Sequence, residues 1–152
     1  MSAEARLQEL GLTLPEVPAP VASYVNCIRT GNLLYLSGGL PIEDGEIITG
    51  KLPDSIGVEQ ATAAARNIIL NRLAVIRQEI GSLDNVRRIV NLQGFVNSAP
   101  DFYDHPKVVN GASDLLLEIF GEAGKHSRIA LGAAALPLNA AVEISLVVEV
   151  SS

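Results

Sequence analysis

Apolar residues recur at helical spacing over two long stretches of this chain, and elsewhere they alternate or gather in short runs. Val58, Thr62, Ala65, Ile69, Leu73, Ile76 and Ile80 predict a helix over 58–80, with Glu59, Arg66, Arg77 and Glu79 at more polar positions and Gly81 placed to end it. Val108, Ala112, Leu115, Leu116, Ile119 and Phe120 predict a second, with Pro106 suited to its first turn and Gly121 or Gly124 to its end. A short helix over Ala3–Leu10, with Leu7 and Leu10 on one side, is stopped by Gly11.

The remaining apolar runs read as strands. Val25–Arg29 and Leu33–Ser37 flank Thr30-Gly31-Asn32, where Gly and Asn tolerate the positive φ of a tight hairpin. Glu43-Asp44-Gly45-Glu46 is a further turn. Arg88–Val96, Arg128–Ala135 and Ala141–Val150 complete the set. In the last of these Val142, Ile144, Leu146, Val148 and Val150 share one face, opposite Glu143, Ser145 and Glu149, with Val147 the exception. The prolines of Leu14–Pro20 exclude a helix and predict an extended lead-in.

After the N-terminal helix the order is β-β-α-β-α-β-β. Two long helices and several strands predict an α+β fold, a mixed sheet with both helices on one face. Too few elements remain to cover the sheet's other face, so self-association is expected. Residues 1–152 read as a single domain, with 1–18 as an N-terminal extension and no internal repeat or linker.

Composition narrows the function. Aliphatic residues carry the core, since aromatics are 4% and tryptophan is absent. Seventeen acidic against eleven basic residues give a formal charge of −6, which opposes a nucleic-acid backbone partner. Cys27, the one cysteine, excludes an internal disulfide and suits a reducing compartment. The N-terminus lacks the apolar run of a signal peptide, and no stretch has the length of a membrane span free of charges or breakers, so cytoplasm is expected.

Metal-ligand spacing is absent: His105 and His126 are far apart, without a Cys or His at i+3 or i+4, and read as surface or loop residues. Ser37-Gly38-Gly39 lacks the ending of a phosphate loop and reads as tight backbone after a strand. Cys27 lies in a strand pattern and reads as a buried small apolar side chain. Arg128 opens an otherwise apolar segment, where its guanidinium could take a carboxylate or pair with Glu143; spacing favours the structural ion pair or plain exposure. Glu143 is either an exposed strand carboxylate or a group able to hold water and move protons.

From about Ala19 to Val150 the chain resembles the YjgF/RidA family, also called L-PSP endoribonuclease-like or translation-inhibitor-like proteins. The resemblance lies in Tyr24-Val25 through Gly31-Asn32 to Leu36-Ser37-Gly38-Gly39-Leu40-Pro41, in Val109-Asn110, and in Arg128 through Leu136-Pro137 to Val142-Glu143-Ile144. It implies a chorismate-mutase-like fold, a homotrimer whose sheets form a central barrel, and clefts between subunits. It further implies hydrolysis of reactive 2-imino acids to 2-keto acids and ammonia, without metal or organic cofactor. In that reading Arg128 binds the substrate carboxylate, Gly38 helps seat the ligand, Tyr24, Ser37 and Asn110 line or support the cleft, and Glu143 positions or activates water. The sequence departs from the family at Gly39, where many active members have glutamine, at Ala130 for a frequent cysteine, and at His126-Ser127 for Pro-Ala; the 42–57 loop is also longer. A non-catalytic binder of small carboxylates is the alternative, and a ribonuclease or translation inhibitor a second.

Overall fold

The structure, a computed structural model, describes residues 1–17, 19–20 and 22–152. Its elements in chain order are α1 (Ala3–Glu9), β1 (Cys27–Thr30), β2 (Leu33–Leu36), β3 (Ile42–Glu43), β4 (Glu46–Ile47), α2 (Val58–Ile80), β5 (Val86–Asn97), α3 (His105–Phe120), β6 (Ser127–Ala133) and β7 (Val142–Val150). Three short 3-10 turns (Leu83–Asn85, Gly121–Gly124, Pro137–Asn139) were not anticipated from the sequence. The described part of the extended lead-in carries neither helix nor strand, and its Pro18 lies outside the described residues.

Five strands form one sheet in the order β1-β2-β7-β5-β6. All its pairings are antiparallel except β5 with β6, which are joined by the crossover helix α3. The sheet is therefore mixed, and the fold is α+β as expected. Gly31 alone takes positive φ (59°) in the β1–β2 turn. In the β3–β4 hairpin both Asp44 and Gly45 do (52° and 80°), the requirement of a two-residue type I′ turn.

Both long helices lie on one face, α2 against β7 and α3 against β5 and β6. β7 alternates as its sequence predicts, with Val142, Ile144, Leu146, Val148 and Val150 buried under the helices. On α2 the buried surface is wider than the predicted stripe. Ala61, Ala64 and Ile68 join it, and so does Arg72, a charged residue only 3% exposed. The cause is position, because α2 packs against the sheet on one side and α3 on another.

The sheet's second face is uncovered. Ile28, Tyr35, Ile129 and Leu131 stand there about half exposed. Their strand registers place them with Val147, Phe95 and Glu143. Before these elements, α1 docks on the helix layer through buried Leu7 and a bidentate contact of Arg77 with Glu4 (Nη2–Oε1 2.7 Å).

Candidate functional site

Arg128 sits near the start of the edge strand β6, paired in register with Leu92 of β5, which pairs with Leu146 of β7. Residues opposite one another share a face, so Arg128 projects on the helix side. Its Nη1 donates to Asn110 Oδ1 (2.7 Å) and to Ser113 Oγ (3.2 Å), both on α3. The expected ion pair with Glu143 is not formed; Arg128 makes none among the described residues. Its Nε and Nη2 have no protein acceptor among those residues, which leaves one edge of the guanidinium free for a carboxylate.

Behind Arg128 runs a short relay. His126 Nδ1 faces the Gly124 carbonyl at 2.6 Å, so that nitrogen carries the proton. In the neutral ring Nε2 then accepts from the Ser113 hydroxyl (2.9 Å), turning the Ser113 lone pairs toward Arg128. His126, expected as a plain loop residue, is thus a fixed member of the support under Arg128. Its acceptor lies within a two-residue turn, and spacing rules tuned to metal ligands do not register such contacts. His105 is likewise engaged, 3.1 Å from Ser98 Oγ beside Gly132, where a β-carbon would come within 2.6 Å of its Nε2.

The second group of site residues stands at the other side of the sheet. Glu143 pairs with Phe95 and faces away from the helices. Its carboxylate packs against Gly38 so closely that a side chain at 38 would collide with Glu143 Oε2. Burial raises the Glu143 pKa above the usual carboxylate value. Gly39 is bonded to β7 in both directions, N to Ile144 O (2.7 Å) and O from Ile144 N (3.1 Å), which fixes the Ser37–Gly39 backbone beside that carboxylate. The tight-backbone reading of these glycines therefore holds.

Ser37 donates its hydroxyl to Val25 O (2.6 Å) and its N–H to Asn26 O (2.9 Å), so it ties the segment before β1 to the cleft. Tyr24, partly exposed, stands in that segment and shares a small pocket with Gly38 and Arg72. Cys27, half-buried in β1, has its thiol pushed up to about 11 by burial and by the neighbouring Glu79 carboxylate. Its thiol is therefore protonated at neutral pH, and it is only partly covered rather than buried as expected, because it lies in the edge strand.

One chain therefore assembles the predicted residues in two clusters. Asn110 and Arg128 meet at the β6 edge, and Tyr24, Ser37, Gly38 and Glu143 gather beside β2 and β7. Arg72, which the sequence reading missed, belongs to the second cluster, donating Nη1 to Ser37 O. Among the described residues there is no group of three His, Cys, Asp or Glu able to hold a metal, and no helix long and apolar enough to cross a membrane.

The comparisons with known proteins agree with this fold. A model of the family described as "YjgF/chorismate mutase-like, putative endoribonuclease" matches residues 4–150. Protein TCP17 of Trypanosoma cruzi is 45% identical over 150 residues, covering 97% of this chain and 94% of its own. The 2-iminobutanoate/2-iminopropanoate deaminase of Dermatophagoides farinae is 28% identical over 139 residues, 90% of this chain and 93% of that one. Among solved structures, protein Atu1372 of Agrobacterium tumefaciens, of unknown function, superposes with a TM-score of 0.91 at 44% identity, covering 98% of this chain and 92% of that chain.

Proposed function

Since the chain belongs to the YjgF/chorismate mutase-like family, we propose that it hydrolyses small 2-imino acids to 2-keto acids and ammonia, as a homotrimer with its sites between subunits. The observation that carries this reading is the Glu143 carboxylate, half-buried against the Gly38 backbone with its pKa raised toward that of a working base. The reaction class is that named for the Dermatophagoides farinae relative.

Arg128 takes the substrate carboxylate through its free Nε and Nη2 edge. Asn110 and Ser113 hold Nη1, so the guanidinium enters the cleft already oriented. The imine carbon is electrophilic without help from a metal or cofactor. Glu143 removes a proton from water as its oxygen bonds to that carbon and the C–N π bond opens, and passes this proton to nitrogen; it then carries the hydroxyl proton to nitrogen as the remaining C–N bond breaks, the C=O forms and ammonia leaves. Tyr24, Ser37 and Gly38 shape the wall next to Glu143. The uncovered apolar face bearing Ile28, Tyr35, Ile129 and Leu131 is the surface that association would bury. We take residues 1–152 as one domain acting in the cytoplasm.

A coupled assay tests this reading. An amino-acid oxidase generates imines, and keto-acid release is followed with wild type, Arg128→Ala and Glu143→Gln. Acceleration by wild type and not by either variant is the expected result. If Glu143→Gln keeps full turnover, the carboxylate is not the base; if wild type gives no acceleration but binds keto acids, the protein is the carboxylate-binding module instead.

A further inference from the structure

Arg72 is buried in the middle of α2, yet no carboxylate pairs with it among the described residues. One of its donors is used, Nη1 to Ser37 O at 3.2 Å, while Nε is buried without any acceptor. Burial pulls its pKa down, and the neighbours that oppose this are Tyr24 and Cys27. The Cys27 thiol, pushed up to about 11, brings no negative charge at neutral pH. Glu79 neighbours Cys27 and forms no ion pair with Arg72 among the described residues. A desolvated guanidinium is costly unless it is paired, and Arg72, which also lines a pocket, has no ion-pair partner among the described residues.

The space beside it has a definite size. Tyr24, Asn26, Gly38, Leu40, Ile42 and Arg72 line a pocket of about 50 Å³. At roughly 10–15 Å³ for each water-sized group, that is room for three or four atoms. A carboxylate, with three heavy atoms, matches that space.

Gly39 is what allows the arginine to lie there. A β-carbon at 39 would stand 2.6 Å from Arg72 Nε and 2.9 Å from its Cδ. In this chain a side chain at 39 and the arginine at 72 thus compete for one space. Gly38 also joins this pocket to the catalytic carboxylate, since Glu143 packs on the same glycine.

We propose that Arg72 forms a second carboxylate subsite of the Glu143 cleft, so that the ligand of this chain carries two acid groups, one held by Arg128 and the other by Arg72. The inference rests on the cleft assigned above and specifies its substrate class: imines of acidic amino acids, with the corresponding 2-oxo diacids as products. The class of reaction that supplies them is oxidation or elimination at the α-carbon of an acidic amino acid.

Calorimetric titration of the full chain with oxaloacetate and 2-oxoglutarate, against 2-oxobutanoate and 2-oxopentanoate, tests it. At least one diacid is expected to bind about tenfold or more tightly than its monoacid counterpart, the scale of one charge-assisted hydrogen-bond pair. Arg72→Gln is expected to abolish that preference while changing 2-oxobutanoate binding less than about threefold. Gly39→Gln/Arg72→Val, which refills the space left by the arginine, should lose the preference equally and guards against a folding defect in the single variant. Equal affinity of wild type for diacids and monoacids, or a preference that survives in both variants, overturns the second subsite while leaving the Arg128 site in place. Absence of binding by either ligand class overturns the cleft itself, and the subsite with it.

Discussion

Arg128 and Glu143 project from opposite faces of the same sheet, Arg128 in register with the buried Leu92 and Leu146, Glu143 with Phe95 on the uncovered side. No side-chain rotation brings them to one small substrate within a chain. A cleft using both must take them from two copies, and that is testable by complementation. Arg128→Ala and Glu143→Gln are each expected to be inactive alone. Mixed and reassembled at equal amounts, they should recover about a quarter of wild-type activity, the statistical share of interfaces that receive both intact residues in a closed ring. Recovery confined to the level of either variant would mean that the two residues do not share a site.

Gly39 and Arg72 form a second coupled pair. Gly39→Ala forces a β-carbon against the Nε and Cδ of a buried side chain, and overpacking of this kind costs about 1–3 kcal/mol. Replacing Arg72 by Val removes the two nearest obstructions and leaves only Ile68 Cγ2 at 3.0 Å, so the same Gly39→Ala change should cost less in that background. Denaturant unfolding of the two single variants and the double gives the interaction energy, expected at about 1–2 kcal/mol and of compensating sign. Additive effects would show that α2 relaxes away from residue 39.

Much of this was legible in the sequence because the governing signals are local. The helix over Val58–Ile80 matches its predicted bounds, and the Val142–Val150 alternation matches its burial residue by residue. Those patterns are set by period and by terminal glycines. Arg72 was not legible, because an arginine within a helical pattern reads as solvent-facing until the Ser37–Gly39 segment is seen to cover that side. The Ser113–His126–Gly124 relay was hidden for a related reason: its members are near in space through the α3 C-terminus and the β6 start, not through any motif spacing. The opposite facing of Arg128 and Glu143 needed the order β7-β5-β6, which strand identity alone does not supply.

Ser113 supports Arg128 without touching the proposed substrate. Ser113→Ala removes one acceptor from Nη1 and leaves His126 Nε2 without its donor, while the shorter Asn110 contact remains. A guanidinium held at one point rather than two should bind carboxylate less well without altering the chemical step. KM is expected to rise about three- to tenfold with kcat nearly unchanged, at a stability cost of about 1 kcal/mol. Steady-state kinetics with thermal melting checks both; a fall in kcat at constant KM would assign Ser113 to the chemistry instead.

Glu143 links activity to stability through its raised pKa. The native state favours the protonated carboxyl more than the unfolded chain does, so between the ordinary glutamate value, about 4.3, and the higher folded value the native state binds more protons. Stability from this group is therefore present at acid pH and declines as pH rises through that window, whereas the proposed activity, which uses the deprotonated carboxylate as base, is expected to rise over the same range. Glu143→Gln keeps the shape and cannot ionise. It is expected to lose turnover, to melt at a higher temperature than wild type at pH 7–8, and to melt like wild type near pH 4. For wild type the acid limb of kcat/KM should lie above the usual glutamate range. Melting curves at the two pH values with a pH–rate profile decide it. A Gln variant that is less stable than wild type at pH 8 would mean that the charged carboxylate is held by favourable contacts, contrary to the burial that raises its pKa.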